Sequence, residues 1–382
     1  MKEIIDLAKG LQPWLVETRR RLHRHPELAW EEVETSRFVE EELRKLGIET
    51  KKVAKTGVIG ILGSGGRVVA LRADMDALPI QEENEVPYRS EVPGKMHACG
   101  HDAHVAMLLG AARILARIRP KGTVKFIFQP AEEGGLGGKR MAESGELDDV
   151  EAFFGIHVWA HLESGKIGIR GGPLWASADA YHIAVKGKGG HGAMPHRTVD
   201  PISVLVSIFE ESQRIITREV SPLEPLVITV GKVEAGTTWN VIPGEAHMWG
   251  TIRAFTQETR DYAVRRLGEI AEAVARAHRA EATFELTMEP IPPTVNDEGL
   301  ARMAKEALSP YLEVVEAPRE LVAEDFSFYS RIAPALFILL GIRNEEKGIV
   351  YPHHHPRFNV DEDVLWMGSA THAILAKRFL ES

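Results

Sequence analysis

Val68-Val-Ala-Leu-Arg-Ala-Asp-Met-Asp76 decides the fold. An apolar run rich in valine that turns acidic at its end reads as a buried strand finishing in two carboxylates. The chain uses the same device twice more. Val124-Lys-Phe-Ile-Phe-Gln-Pro-Ala-Glu-Glu133 ends in Glu132 and Glu133, and Phe153-Phe-Gly-Ile-His157 ends in a histidine. Between the first two lies Asp102 to Ile118, apolar at helical spacing, with Asp102 as the expected N-cap. Strand, helix and strand in this order predict an α/β domain around a mainly parallel, covered sheet. Ligands of such sheets gather beyond the carboxyl ends of the strands, where these acids and this histidine stand.

Outward from that nucleus the pattern continues. Residues 2–25 have helical spacing up to Pro26, and a second helix is expected from Glu31 to Lys45, stopping at Gly47. Short apolar runs at Gly57–Leu62, Arg67–Ala73, Gly122–Phe128 and Ala152–His157 read as strands. Residues 180–290 change character. The expected order there is strand (Tyr181–Lys186), helix (Pro201–Ile216), strand (Leu226–Val233), strand (Glu245–Phe255), helix (Thr259–Ala280) and strand (Thr283–Glu289). That is βαββαβ, the ferredoxin-like pattern. A helix (Glu298–Ala307), an apolar run (Ala335–Gly341) and a last helix (Val364–Leu380) then resume the first domain. The expectation is one α/β catalytic domain in two segments, 1–179 and 292–382, carrying an inserted α+β domain at 180–291. A chain of 382 residues exceeds the usual span of one core, which agrees.

Composition narrows the function classes. A net charge of −9 argues against a nucleic-acid partner, which calls for a basic face. One cysteine allows no internal disulfide, and the charged N-terminus lacks the apolar core of a signal peptide. The longest apolar run, Ala333 to Ile342, is too short to span a membrane and contains Pro334. The expected location is the cytoplasm, with no membrane partner.

The chemistry concentrates in Met96-His-Ala-Cys-Gly-His-Asp-Ala-His104 and Tyr351-Pro-His-His-His-Pro-Arg-Phe-Asn-Val-Asp361. Histidine and thiolate are ligands of borderline-soft metals. Singly, each feature has an ordinary explanation: a polar loop with a buried cysteine, capping aspartates, a solvated pair of glutamates. Jointly they are harder to dismiss. Cys99, His101, a glutamate, His157 and one of His353–His355 exceed the ligands of one tetrahedral zinc, so two bridged ions are expected. Glu132 and Glu133 then divide into one ligand and one general base.

Further motifs join these: Arg20-Arg-Leu-His-Arg-His-Pro-Glu27, Ala70-Leu-Arg-Ala-Asp-Met-Asp-Ala-Leu-Pro79, Phe128-Gln-Pro-Ala-Glu-Glu-Gly134, Gly155-Ile-His-Val-Trp159, Gly187-Lys-Gly-Gly-His-Gly-Ala-Met-Pro-His196, Ala323-Glu-Asp-Phe-Ser-Phe-Tyr329 and His354-His-Pro-Arg-Phe358. Together and in this order they resemble the M20 metallopeptidase family. The resemblance is to its amidohydrolase branch, which includes hippurate hydrolases, N-acyl-amino-acid amidohydrolases, auxin-conjugate hydrolases and some carboxypeptidases. It implies that Cys99, His101, Glu133, His157 and His354 hold two divalent ions, zinc first, with manganese, cobalt or nickel as alternatives. Glu132 would be the general base, and Asp76 would support the ligands. The wider family has a histidine ligand where this chain has Asp74, so the role of Asp74 is open.

In the inserted domain the resemblance makes His191 the stabiliser of the oxyanion. A flexible glycine-rich turn is the ordinary reading of that segment. In relatives this histidine can come from a partner subunit, so a homo-oligomer, dimer or tetramer, is implied. Asn240 and Arg253 would hold the substrate carboxylate, a surface salt bridge being the alternative for Arg253. Glu324 and Asp325 would support the site or face the substrate, with helix capping as the alternative. The implied activity is metal-dependent hydrolysis of the amide bond of N-acyl amino acids or short peptides. A metallocarboxypeptidase is the nearer alternative, and a non-enzymatic metal- or amino-acid-binding protein the more distant one.

Overall fold

Val68–Asp74 forms strand β1, buried from Val69 onward. The structure, a computed structural model, describes all 382 residues. In it β1 lies inside an eight-stranded sheet. Its neighbours are β2 (Thr123–Gln129) and β3 (Ala152–Glu163), both parallel to it. Strand β4 (Ala335–Arg343) runs parallel to β3 on the far side. Strands Glu49–Val53 and Gly57–Gly63 extend one edge antiparallel, and Lys166–Ile169 with Glu313–Glu316 complete the other. Because β2 and most of β3 and β4 are covered on both faces, their sequences are continuous apolar runs rather than alternating ones. Register then sets chemistry. Asp74 pairs with Gln129, and Arg72 with Gly155, so the ends of β1 and β2 come level beside the middle of β3, where His157 lies.

The N-terminal helix is two helices. Lys2–Gly10 ends at Leu11, and α1 (Gln12–Arg24) begins with Pro13 in its first turn. Proline lacks the N–H and crowds the carbonyl four residues back, so one continuous helix breaks there. Helix α2 (His101–Ile118) packs against β1 and against the C-terminal helix Leu365–Leu380. Its N-cap is Gly100, not Asp102. Gly100 has φ +86°, and a Cβ there would stand 2.4 Å from Val158 Cγ2, so glycine is required on both counts. Asp102, one position inside the helix, turns its carboxylate to α1 instead.

Contacts divide the chain into two units: Met1–Leu174 with Val295–Pro318 and Asp325–Ser382, and Trp175–Thr294 with Arg319–Glu324. In the second, strands Leu226–Ala235, Glu245–Ala254, Asp179–Lys186 and Glu281–Leu286 form an antiparallel sheet in that spatial order. Helices Pro201–Arg214 and Gln257–Ala277, capped by Asp200 and Thr256, contribute Ile208 and Leu267 to a core with Tyr181, Ile183 and Val185. This is the ferredoxin-like arrangement.

The unit reaches beyond 180–291 for a local reason. Ser177 N–H bonds Ala254 O at 2.7 Å, Ala178 bridges Ile291, and Ala176 N–H bonds Val322 O at 2.9 Å. A two-stranded ribbon, Gly190–His191 with Val241–Ile242, was not read from the sequence. No helix of the chain is long and apolar enough to cross a membrane.

Candidate metal centre

Five segments of the first unit deliver its polar side chains. Asp74 and Asp76 close β1; Cys99, His101 and His104 flank or open α2; Glu132 and Glu133 follow β2; His157 lies on β3; and His354 follows β4. Backbone strain marks two of these segments. Ala131, just before Glu132, has φ +51°, and His354 has φ +64°. Non-glycine residues hold this conformation only where surroundings over-determine it. Here Ala131 N–H is fixed by Glu32 at 2.8 Å, and His354 N–H by Ala98 O at 2.8 Å. Asp76 accepts from the backbone N–H of Glu132 at 3.0 Å and of Glu133 at 2.9 Å, so it braces the loop that presents both glutamates.

The donor atoms converge. Those of Cys99, Glu133 and His354 lie within 4.8 Å of one another, as do those of His101, Glu132 and Glu133, and those of Asp74, His101, His104 and His157. Glu133 Oε1 is 3.1 Å from His354 Nε2, and Cys99 Sγ is 3.6 Å from His157 Nε2. His157 Nδ1 lies 2.6 Å from Val158 O, a partner that can only accept, so Nε2 is the ring's acceptor nitrogen and faces the thiol. His353 turns away to Val158 O at 2.9 Å.

His101 is fully buried, and neither ring nitrogen makes a well-formed hydrogen bond. Asp76 is 3.3 Å from Nδ1 and Asp74 3.6 Å from Nε2. Orphaned polar atoms in a native interior call for an explanation, each costing about 1–3 kcal/mol. A thiol, imidazoles and a carboxylate converging on so small a volume fit a pair of borderline divalent ions.

Electrostatics agree with that fit. Burial opposes charge on His101, yet Asp74 and Asp76 hold it up at about 10. A bound cation would take over from that proton, since metal binding releases protons from its ligands. Burial, then His104 and His353, keep His157 well below the ordinary histidine value, the neutral form a metal ligand needs. The hydrogen bond to Glu133 raises His354. Against its own burial, Asp74 is held well below the carboxylate range by Arg72, His101 and His104.

A second buried network starts from the next residue of the same helical turn. Asp102 Oδ2 accepts from Arg19 Nε at 2.7 Å and from His23 Nδ1 at 2.8 Å. His23 Nε2 faces Glu82 Oε1 at 3.2 Å, and Arg19 reaches Glu362 at 3.2 Å. Asp325 forms a third brace, accepting from Gly138 N–H at 2.7 Å, Gln129 at 2.7 Å and Arg72 at 3.2 Å. The sequence reading missed His104, although three residues beyond His101 on a helix is the same face. It also assigned no role to Arg19, His23 or Arg72.

His191, Asn240 and Arg253 belong to the second unit. The short ribbon brings His191 and Asn240 together: His191 pairs with Val241, and Gly192 N–H bonds Asn240 O at 2.9 Å. Both side chains are exposed. Arg253 is half-buried on Glu245–Ala254 and donates to Ile252 O at 3.1 Å.

The sequence profile of peptidase family M20/M25/M40 matches residues 70–378. The chain is 43% identical over 380 residues to thermostable carboxypeptidase 2 of Saccharolobus solfataricus, covering 97% of each. It is 44% identical to an IAA-amino acid hydrolase of Arabidopsis thaliana (ILR1-like 2), covering 99% of this chain and 88% of that one. A solved dinuclear metal-binding peptidase of the M20 family from Bacillus subtilis superposes with a TM-score of 0.87 at 38% identity, covering 98% of this chain and 99% of that one. On these matches, the chain belongs to peptidase family M20/M25/M40 and to its amidohydrolase branch.

Proposed function

We propose that this hydrolase cleaves the amide bond of N-acyl amino acids, with short peptides bearing a free C-terminal carboxylate as the neighbouring substrate class. The observation that carries the reading is the convergence of Cys99, Glu133 and His354 beside His101 and His157, with a further carboxylate, Glu132, in the same cluster. A pure binding protein has no need for that extra carboxylate. In this reading Cys99, His101, Glu133, His157 and His354 hold two divalent ions, zinc first, then manganese, cobalt or nickel. Ions held there would polarise the amide carbonyl and make water a nucleophile near neutral pH.

The residues do the rest. Glu132 takes the proton from the attacking water and hands it to the departing amine. Asp76 keeps Glu132 and Glu133 in place through their backbone amides. His191 stabilises the oxyanion, while Asn240 and Arg253 take the substrate carboxylate. The relatives named carboxypeptidase and IAA-amino acid hydrolase support both substrate classes.

We further infer a homo-oligomer formed through the second unit. It exposes Ile202, Val206, Phe209 and Val233, more apolar surface than scattered residues explain. A reducing, cytoplasmic setting suits a lone cysteine that serves as a ligand.

The deciding experiment strips the protein with chelator, adds back Zn²⁺, Mn²⁺, Co²⁺ or Ni²⁺, and offers N-acetyl-, N-benzoyl- and dipeptide substrates while bound metal is counted. Metal-restored cleavage is expected, and the preferred class separates amidohydrolase from carboxypeptidase. Two bound ions with no cleavage of any substrate would favour a binding role.

A further inference from the structure

His104 lies in the buried cluster with Asp74, His101 and His157, and by proximity alone these four resemble a metal site. The hydrogen bonds say otherwise for His104. Its Nε2 accepts from the backbone N–H of Val158 at 2.9 Å. An amide N–H can only donate, so Nε2 carries no proton and its lone pair is engaged. The ring proton therefore sits on Nδ1, which donates to Asp74 Oδ1 at 2.5 Å. Asp74 Oδ2 in turn accepts from Arg72 Nη1 at 2.6 Å. Arg72, Asp74 and His104 are buried, and no lone pair of His104 remains for an ion.

We propose that Asp74 and His104 are positioning residues, a strut that aims two ligands rather than joining them. The strut spans three elements. Asp74 ends β1; His104 stands one turn beyond His101 on α2; Val158 directly follows His157 on β3. Fixing His104 between Asp74 and Val158 fixes the first turn of α2, and with it His101, against the middle of β3, which carries His157. Gly100 closes the same joint, its Cα packed against Val158. Asp74 thus has a task that does not require it to touch an ion. The inference rests on the proposed reading that His101 and His157 are ligands. It accounts for the carboxylate at a position where a ligating histidine is found in the wider family.

The test uses the full chain loaded with Co²⁺ and three proteins: wild type, His104→Asn and His104→Gln. Asparagine can keep a donor to Asp74 but not the acceptor for Val158, and glutamine the reverse. Bound cobalt per chain, cobalt affinity, the visible cobalt spectrum, kcat and KM are measured. A positioning role predicts two ions per chain at saturating cobalt in all three. It also predicts affinity weakened roughly 10- to 100-fold in each variant, as for lost outer partners of metal ligands, with altered cobalt bands, and kcat falling more than KM changes.

One ion per chain in both variants at saturating metal would make His104 a ligand and overturn the proposal. Unchanged affinity and bands with only a lower melting temperature would make it a packing residue and overturn it equally. Wild type that takes up no cobalt would overturn the metal reading and this one together. Should neither variant fold, wild-type protein loaded with ¹¹³Cd decides: cadmium coupling to the rings of His101 and His157 but not His104 is expected, and coupling to His104 overturns the strut.

Discussion

Two buried polar networks start from consecutive residues in the first turn of α2, and they are built differently. Around Asp102 the charges answer one another: Arg19 and His23 converge on Oδ2, and the far nitrogen of His23 faces Glu82. Glu82 also accepts from Ser90 N–H at 2.7 Å and Asn84 at 3.0 Å. Around His101 the ring nitrogens lack well-formed hydrogen bonds while two carboxylates press near. The Asp102 network leaves one buried atom, Asp102 Oδ1, without a hydrogen bond; at His101 both ring nitrogens lack one and two carboxylates stand near. Consecutive residues of one helix thus serve two different networks, and what distinguishes them is the balance of donors and acceptors around each rather than burial or residue type.

The largest effect that would sharpen this contrast is on turnover. Glu132→Gln removes the proposed proton carrier while keeping the side chain's shape. Activity is expected to fall roughly 10²- to 10⁴-fold, the usual weight of general acid–base catalysis, with two ions still bound. A variant that keeps more than a tenth of wild-type turnover when fully loaded would show that the proton goes elsewhere.

The next effect belongs to the brace around Asp102. Asp102→Asn removes the counter-charge that Arg19 and His23 share, leaving only Glu362 for the one and Glu82 for the other, and breaking a buried pair costs up to about 3–5 kcal/mol. Denaturant midpoints should show that loss while the surviving folded protein keeps its metal count. Loss of one ion with little loss of stability would erase the distinction between the two networks.

Metal removal is the converse. Ions that bind only the folded chain add about 2.7 kcal/mol at a hundredfold excess over Kd, so chelation should lower the melting temperature measurably in wild type. In a His101→Ala variant the same treatment should lower it less, because one ion site is already impaired. Equal shifts in both proteins would remove His101 from the ligand set.

How much of this was legible in the sequence depends on range. The parallel nucleus was readable because its strands are covered on both faces, which leaves long apolar runs ending in Asp74, Asp76, Glu132, Glu133 and His157. The second unit was readable because helical and strand periods alternate cleanly there. The break at Leu11 was missed because the apolar spacing continues across it while Pro13 acts through the backbone. Asp102 was misassigned for an instructive reason. As an acidic residue opening a helix it looks like a cap, but its partners, Arg19 and His23, lie about eighty residues earlier in the chain. Likewise, nothing local in Asp74 or His104 reveals that a backbone amide of β3, Val158 N–H, selects the tautomer of that histidine.

The smallest effect tests whether the brace is as closed as its geometry implies. Burial and Arg19 work against a proton on His23, but Asp102 and Glu82 more than offset them and raise its pKa above the ordinary 6.5. A group raised on folding contributes its stabilisation fully below the unfolded value, about 6.5, and loses it as pH climbs through the folded value. Between those two values the folded chain holds one proton more than the unfolded chain. Stability must then fall with rising pH, by at most about 1.4 kcal/mol per pH unit for that single proton. Asp102 runs the opposite way: its carboxyl is held down, so its contribution is present above about pH 4 and lost on acidification. Metal-loaded protein is the right sample, because ions held as proposed would silence the titration of His101. Denaturant midpoints measured upward from pH 6 should slope downward in wild type and flatten in His23→Gln. Parallel slopes in the two proteins would mean that His23 is neutral between its carboxylates, and Arg19 alone would then supply the positive charge facing Asp102.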